Sequence, residues 1–283
     1  MTTPTVTHYA VIGHPVTHSQ SPFIHAAFAQ QTGEAIAYGR IDCGPDGFEA
    51  AVRQFAAQGA GGCNITVPFK FSAAKLATRT SDRARMAGAA NILSFEPDGW
   101  LADNTDGSGL RRDIEHNAQW PLTGRRVLLV GAGGAAAGVL GPLLQAVPQQ
   151  VVVVNRRPER AQWLADRHKL MAQTAGVDLS TAPIEQPGTG FDLVINATAS
   201  SLQAAPIPVP AAVLGRDALA IDLMYGAAAR GFLDWADRHG AQGRDGLGML
   251  VEQAAEAFFV WRGIRPAGAP VLKALRQQLS RPA

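Results

Sequence analysis

The chain has 283 residues, of which 47% are hydrophobic, 17% charged and 7% aromatic, with a formal net charge of +2. That is apolar material enough for two globular domains or one large one, and the near-neutral balance with few aromatic rings leaves no electrostatic or stacking footprint for nucleic acid. Cys43 and Cys63 stand outside any C-x-x-C spacing, no apolar run reaches membrane length, no signal-peptide pattern opens the chain and no histidines show metal-ligand spacing, so a cytoplasmic protein without a metal is expected.

Residues 9–12 (YAVI) predict a strand ending at Gly13. A turn-rich stretch leads into a helix over 23–31, with Ser21 at its N-cap and Pro22 at its first position. A strand over 37–41 and a helix over 48–58 follow, the helix broken by glycines. Residues 64–70, NITVPFK, are unusual: Asn64, Thr66 and Pro68 alternate with Ile65, Val67 and Phe69, and Pro68 has no N–H for a ladder. Lys70 stands just past that stop. The residues alone leave two readings open, an edge strand fading into solvent or a strand that delivers Asn, Thr and Lys to a site. Helices over 71–77 and 82–87 and a hairpin of 91–95 with 100–103 around Pro97-Asp98-Gly99 complete a mixed α/β layer.

The composition changes after residues 120–124. Residues 127–130 are a continuous apolar run, the mark of a central parallel strand, and an Ala- and Leu-rich helix follows to about Val147. Between them lies Gly131-x-Gly133-x-x-Ala136. Gly131 permits a tight turn, Gly133 lets a pyrophosphate approach N–H groups at a helix N-terminus, and Ala136 permits close helix–strand packing. The strand over 151–154 ends in Asn155-Arg156-Arg157-Pro158-Glu159-Arg160. An NAD site usually has an acid there for the ribose 2′-hydroxyl. Here Arg156 and Arg160 suit a 2′-phosphate through paired hydrogen bonds, which favours NADP; the alternative is a solvated basic loop. A helix over 159–168, strands over 193–196 and 218–223, and helices over 252–261 and 271–279 complete the chain, with Asn196-Ala197-Thr198 ending a strand on the cofactor edge. The expected fold class is α/β, in two α/β domains, the second a Rossmann-type NADP-binding domain.

The segments VIGHPVTHSQSPFIH (11–25), NITVPFK (64–70), AGAANILS (87–94), DNTDG (103–107), VGAGGAAAG (130–138), NRR (155–157), INATAS (195–200), DLMYG (222–226) and DGLGMLVEQAAEAFFVW (245–261) resemble, in order and spacing, the shikimate dehydrogenase family, NADP-dependent enzymes of aromatic amino-acid precursor synthesis. The resemblance implies a catalytic pair, Lys70 and Asp106, and a substrate pocket of Ser19, Ser21, Asn64, Thr66, Asn91, Tyr225 and Gln253. It implies cofactor contacts at Gly131, Ala132, Gly133, Gly134, Ala135, Asn155, Arg156, Arg160 and Thr198, with Asp82, Leu223 and Gly246 toward the nicotinamide. It also implies a catalytic domain over 1–107, a cofactor domain over 108–240, C-terminal helices over 241–283 packing back on the first domain, and an active-site cleft between the domains. Such a pocket suits shikimate, which carries a carboxylate and three hydroxyls and has no large apolar face.

Taken singly, each residue has another use. Ser21 serves as a helix cap, Thr66 as a strand residue, Asp106 as a turn acid, Tyr225 as a core aromatic and Gln253 as a solvent-facing helix residue. The chain departs from the family pattern at Ile92, where Thr is usual, and at Arg157, where Thr or Ser is common. Relatives with NRR include some that accept NAD and quinate. The alternatives are therefore a quinate/shikimate dehydrogenase with relaxed cofactor use, a relative acting on another small hydroxy acid, and a non-catalytic NADP-binding sensor. The expected partner is a small molecule, and the expected state is a monomer or homodimer.

Overall fold

The computed structural model describes residues 5–203 and 206–280. They form two compact units: the described residues up to Gly109 together with those from Leu250 onward, and Leu110–Met249.

The first unit runs β1 (Thr7–Gly13), α1 (Ser21–Thr32), β2 (Ile36–Asp42), α2 (Phe48–Ala57), β3 (Gly62–Ile65), α3 (Lys70–Leu76), β4 (Arg79–Thr80), α4 (Asp82–Ala87), β5 (Ile92–Ser94), β6 (Leu101–Asp103) and the start of α5 (Asp106–Arg112). Its sheet has the order β2-β1-β3-β5-β6-β4. β1 pairs parallel with β2 and β3, while β5 runs antiparallel to β3 and β6. Ile12, Cys63, Ile65 and Leu93 pack with Phe48, Val52, Phe69 and Ala73 in its core.

NITVPFK is not one strand. β3 is buried at all four positions and stops at Ile65. Thr66 N–H still donates to Ile12 O, and Phe69 N–H then bonds back to Thr66 O as the chain turns. Lys70 opens α3, so it is delivered by a helix start and not by a strand end. Only Asn64 of the polar alternation lies in β3; Thr66 and Pro68 belong to the turn, where Pro68 has no N–H to lose.

The second unit holds β7 (Arg126–Val130), α6 (Gly134–Gln145), β8 (Gln150–Val154), α7 (Pro158–Ala175), β9 (Asp178–Ala182), β10 (Phe191–Asn196), β11 (Leu214–Asp222), α8 (Arg230–Arg238) and β12 (Gln242–Asp245). Its strands are all parallel, in the order β12-β11-β10-β7-β8-β9. Counted from β7, this is the doubly wound order 3-2-1-4-5-6 read from the β9 edge. Leu128, Val130, Val152, Val154, Val194 and Ala220 fill its core, buried because a parallel sheet is covered on both faces.

β9, β12 and α8 are not legible as apolar runs. DLSTA and QGRD are edge strands, half-exposed and free to be polar. In α8 only Phe232, Trp235 and Ala236 are buried, a narrow stripe in a charged helix. α9 (Leu247–Arg262) begins in the second unit and continues in the first, which closes with α10 (Gly268–Leu279). β12 therefore stays with the second unit, past the expected boundary at 240. Among the described residues no helix is long and apolar enough to cross a membrane.

Candidate active site

Lys70 and Asp106 are each the first residue of a helix, α3 and α5. A carboxylate suits the positive end of the helix dipole and an ammonium does not. Lys70 is held there by Asp106, whose Oδ2 accepts from its Nζ. The two side chains are 13% and 5% exposed, so solvent screens the pair poorly.

The DNTDG segment builds the turn that presents Asp106. Asp106 N–H donates to Asn104 Oδ1 at 3.1 Å, and Asn104 N–H to Asp103 Oδ1 at 2.7 Å. Asp103 is clamped by Arg83 Nε and Nη2, both at 2.6 Å. Burial pushes the Asp103 pKa up, but the hydrogen bonds and charge of Arg83 outweigh it and hold the carboxyl below its ordinary value.

Asn91 is the hub of the cluster. Its Nδ2 lies 2.9 Å from Thr105 Oγ1, 3.0 Å from Asp106 Oδ1 and 3.0 Å from Gln253 Oε1. Two amide hydrogens cannot serve three acceptors fully, so the cluster retains capacity to accept from hydroxyl groups. Asn91 Oδ1 takes the Thr105 N–H at 2.7 Å, and Gln253 Nε2 donates to Leu250 O at 2.8 Å, which turns Gln253 Oε1 toward Asn91. Gly109 makes this approach possible: a Cβ there would stand 2.6 Å from the Gln253 backbone nitrogen. Gln253 is thus buried and engaged, not solvent-facing.

Asn64, on β3, is buried; its Oδ1 accepts from the Tyr38 hydroxyl at 2.6 Å and its Nδ2 reaches Asn91 O at 3.4 Å. Thr66 lies in the following turn with its methyl against Gly13. Ser21 is the first residue of α1 and not its cap: Gln20 holds the cap position without a side-chain bond. The neighbouring Ser19 Oγ accepts the Ser21 N–H at 3.3 Å and donates to Ser21 Oγ at 3.2 Å. Arg40 Nε and Nη2 hold the Ser19 carbonyl at 3.0 and 2.6 Å. The first unit therefore joins Asn64, Lys70, Asn91, Asp106 and Gln253 in one bonded cluster, with Ser19 and Ser21 paired at the start of α1. Asp82 stands apart from that cluster, exposed on the first turn of α4 and paired with Arg85. Tyr225 belongs to the second unit, half-buried ahead of a short 3-10 turn over 226–229.

In the second unit the β7–α6 turn lies where the strand order reverses, between β7 and β10. Gly131 has φ +114°, and a Cβ there would stand 3.1 Å from the Ala197 carbonyl. The β7 and β10 turns pack that closely only with glycine. Gly133 precedes α6 in extended conformation with no side-chain cap, and a Cβ there would meet nothing within 4 Å. Open space thus faces the first N–H groups of α6, which begins Gly134-Ala135 next to the buried Ala132. Asn196 Nδ2 donates to the fully buried Asp222 at 3.0 Å, and its Oδ1 accepts from the Thr198 hydroxyl at 2.7 Å. Burial raises the Asp222 pKa against the lowering effect of its hydrogen bonds.

Past β8, Asn155 Nδ2 donates to Arg157 O at 3.0 Å. Arg156 and Arg160 are exposed, and among the described residues neither has an ion-pair partner. An open cradle at a helix N-terminus beside uncommitted guanidinium groups fits a dinucleotide carrying an additional phosphate. Gly246 N–H donates to Met224 O at 2.8 Å, next to the buried Leu223. Among the described residues no three His, Cys, Asp or Glu side chains are grouped to hold a metal ion.

Sequence reasoning did not single out Tyr38, Arg83, Asn104 or Thr105. Asn104 and Thr105 sit inside the quoted DNTDG segment, which was a usable signal. Tyr38 and Arg83 act across the fold and leave no local pattern.

Family models match three stretches: the shikimate dehydrogenase substrate binding domain over residues 11–93, shikimate / quinate 5-dehydrogenase over 114–206, and the shikimate 5'-dehydrogenase C-terminal domain over 246–276. A relative from Paracidovorax citrulli, shikimate dehydrogenase (NADP(+)), is 61% identical over 96% of this chain and 97% of its own. The crystal structure of an Ael1 enzyme from Pseudomonas putida is 48% identical with a TM-score of 0.85, covering 98% of this chain and 99% of its own. Shikimate 5-dehydrogenase from Thermus thermophilus, in complex with NADP(H) and shikimate, is 30% identical with a TM-score of 0.81, covering 96% and 99%. With motifs and fold agreeing and the similarity spanning nearly the whole chain, the chain belongs to the shikimate dehydrogenase family.

Proposed function

We propose that the chain is an NADP-dependent shikimate dehydrogenase, reversibly reducing 3-dehydroshikimate to shikimate on the route to chorismate and the aromatic amino acids. The observation that carries this reading is the Lys70–Asp106 pair, set in a buried cluster with Asn91 and Gln253 that retains acceptor capacity for hydroxyl groups. The names of close full-length relatives support it.

When bound, NADPH supplies a hydride to the ketone carbon. Lys70 Nζ gives a proton to the ketone oxygen in this direction and takes it back in reverse, and its charge stabilises the developing alkoxide. Asp106 holds Lys70 in place and accepts from a ring hydroxyl. Asn64, Thr66, Asn91 and Gln253 position the remaining hydroxyls, Ser19 and Ser21 take the carboxylate, and Tyr225 completes the substrate set. Gly131 to Ala135 receive the pyrophosphate, Asn155, Arg156 and Arg160 the adenosine with its 2′-phosphate, and Thr198, Leu223, Gly246 and Asp82 the nicotinamide side. We assign the substrate to residues of the first unit together with Tyr225, and the cofactor to residues of the second together with Asp82. We place the activity in the cytoplasm, where the free Cys43 and Cys63 stay reduced, in a monomer or homodimer with small molecules as partners.

The test is initial-rate formation of reduced cofactor with shikimate or quinate and with NADP or NAD. Shikimate with NADP is expected to dominate. Comparable rates with quinate and NAD move the protein to the relaxed group, and NADP binding without turnover of any pair overturns the reading.

A further inference from the structure

We propose that Tyr38 is a positioning residue for this reaction: its phenol fixes the orientation of the Asn64 amide, so that Asn64 meets the substrate as a hydrogen-bond donor. The inference rests on the assignment of Asn64 to the substrate.

The sheet register shows how Tyr38 reaches Asn64. On the edge strand β2, Tyr38 lies level with Tyr9 of β1, and Tyr9 with Gly62 of β3. Asn64 is two residues further along β3, on the same face as Gly62. The phenol reaches across β1 and arrives 2.6 Å from Asn64 Oδ1. Asn64 Nδ2 points toward the Asn91 carbonyl at 3.4 Å, a long bond. One of its two hydrogens is thereby weakly committed and the other is left for a ligand. Turning the amide over would set its carbonyl against that of Asn91, and the phenol would have to give up its proton contact and accept from the NH2 instead. The Asn91 carbonyl, which can only accept, sets the sense of the amide, and the short Tyr38 bond holds it in that sense.

Tyr38 is itself held from behind. The His25 ring stacks on it with centroids 4.2 Å apart and planes 3° from parallel. His25 is fully buried against Phe28, Phe258 and Trp261, and neither of its nitrogens has a hydrogen-bond partner among the described residues. An imidazole there serves as an uncharged flat surface, which fixes the phenol's direction without competing for its proton. Burial also pushes the Tyr38 pKa well up, so the phenol keeps that proton to donate.

Tyr38→Phe keeps the ring and the stack and removes only the hydroxyl. The expected result is a fall of about tenfold in kcat/KM for shikimate, carried mainly by KM, with NADP affinity near wild type and the melting temperature modestly lowered because the buried Asn64 Oδ1 loses its donor. The decisive readout is a double-mutant cycle with Asn64→Ala: once Asn64 is gone, Tyr38→Phe should have no further effect. An equal Tyr38→Phe effect in both backgrounds, or a variant with wild-type kcat/KM, overturns the proposal while shikimate turnover stands. A wild type that does not turn over shikimate overturns the underlying assignment, and the proposal with it.

Discussion

The two units prepare for their ligands in opposite ways. In the first, the polar groups are buried and already bonded to one another: Lys70 to Asp106, Asp106 to Asn91, Asn91 to Gln253. In the second, the groups we assign to the cofactor are left open: Gly133 faces empty space and Arg156 and Arg160 stand exposed. The difference suits the ligands proposed for each. A small polyhydroxyl ring is distinguished from its analogues by hydrogen bonds whose loss strands a buried partner, so its site must be preorganised. Phosphates carry full charge and are held by a helix N-terminus and guanidinium forks, which need no mutual support.

The largest test of that contrast is Lys70→Ala. It should lower kcat by about 10²- to 10⁴-fold, the range of a lost general acid, with NADP affinity unchanged. Steady-state rates and a fluorescence titration with NADPH check both halves. The variant also leaves the Asp106 carboxylate buried without its cation, so its melting temperature should fall. A matching loss of NADP affinity would break the division between the units.

The converse substitution, Arg156→Gln with Arg160→Gln, should raise KM for NADP by about 10- to 100-fold and leave KM for NAD and for shikimate near wild type. The ratio of kcat/KM for the two cofactors reads the effect directly. An unchanged ratio would return these arginines to the status of a solvated basic loop.

The smallest effect concerns stability, and it sharpens the account of the first unit. Burial lowers the His25 pKa from 6.5 to about 3. The folded protein therefore holds His25 neutral while the unfolded chain protonates it. The stabilisation is fully present above pH 6.5 and is lost as the pH falls toward 3, with a contribution of about 2 kcal/mol between pH 7 and pH 5. Thermal unfolding at the two pH values should show that loss in wild type and a shallower loss in His25→Leu. Equal slopes would mean that His25 does not titrate on unfolding.

The second unit was the more legible half. An apolar strand, a glycine turn, a helix and an arginine-bearing second strand are local patterns, and each maps onto β7, Gly131 to Ala136, α6 and Arg156. The edge strands β9 and β12 escaped because one-sided burial does not require apolar residues. In the first unit, NITVPFK taken alone left its purpose open, and only the family resemblance singled out Lys70 and Asp106. What gives the cluster its shape is long-range: Gly109 makes room for Gln253, and Tyr38 reaches Asn64 across β1. Such contacts join positions far apart in the chain and leave no periodic trace. Ser21 shows the reverse error, a local cap signal overridden because the helix starts one residue earlier.

The most direct test uses shikimate carrying deuterium at C3, with NADP and the wild-type chain. Mass spectrometry of the cofactor after turnover reads where the label goes. Hydride transfer between shikimate and NADP requires deuterium at the nicotinamide C4 of the reduced cofactor and a slowed single-turnover rate where that transfer limits. Reduced cofactor without the label, or no reduced cofactor at all, would contradict the proposed activity.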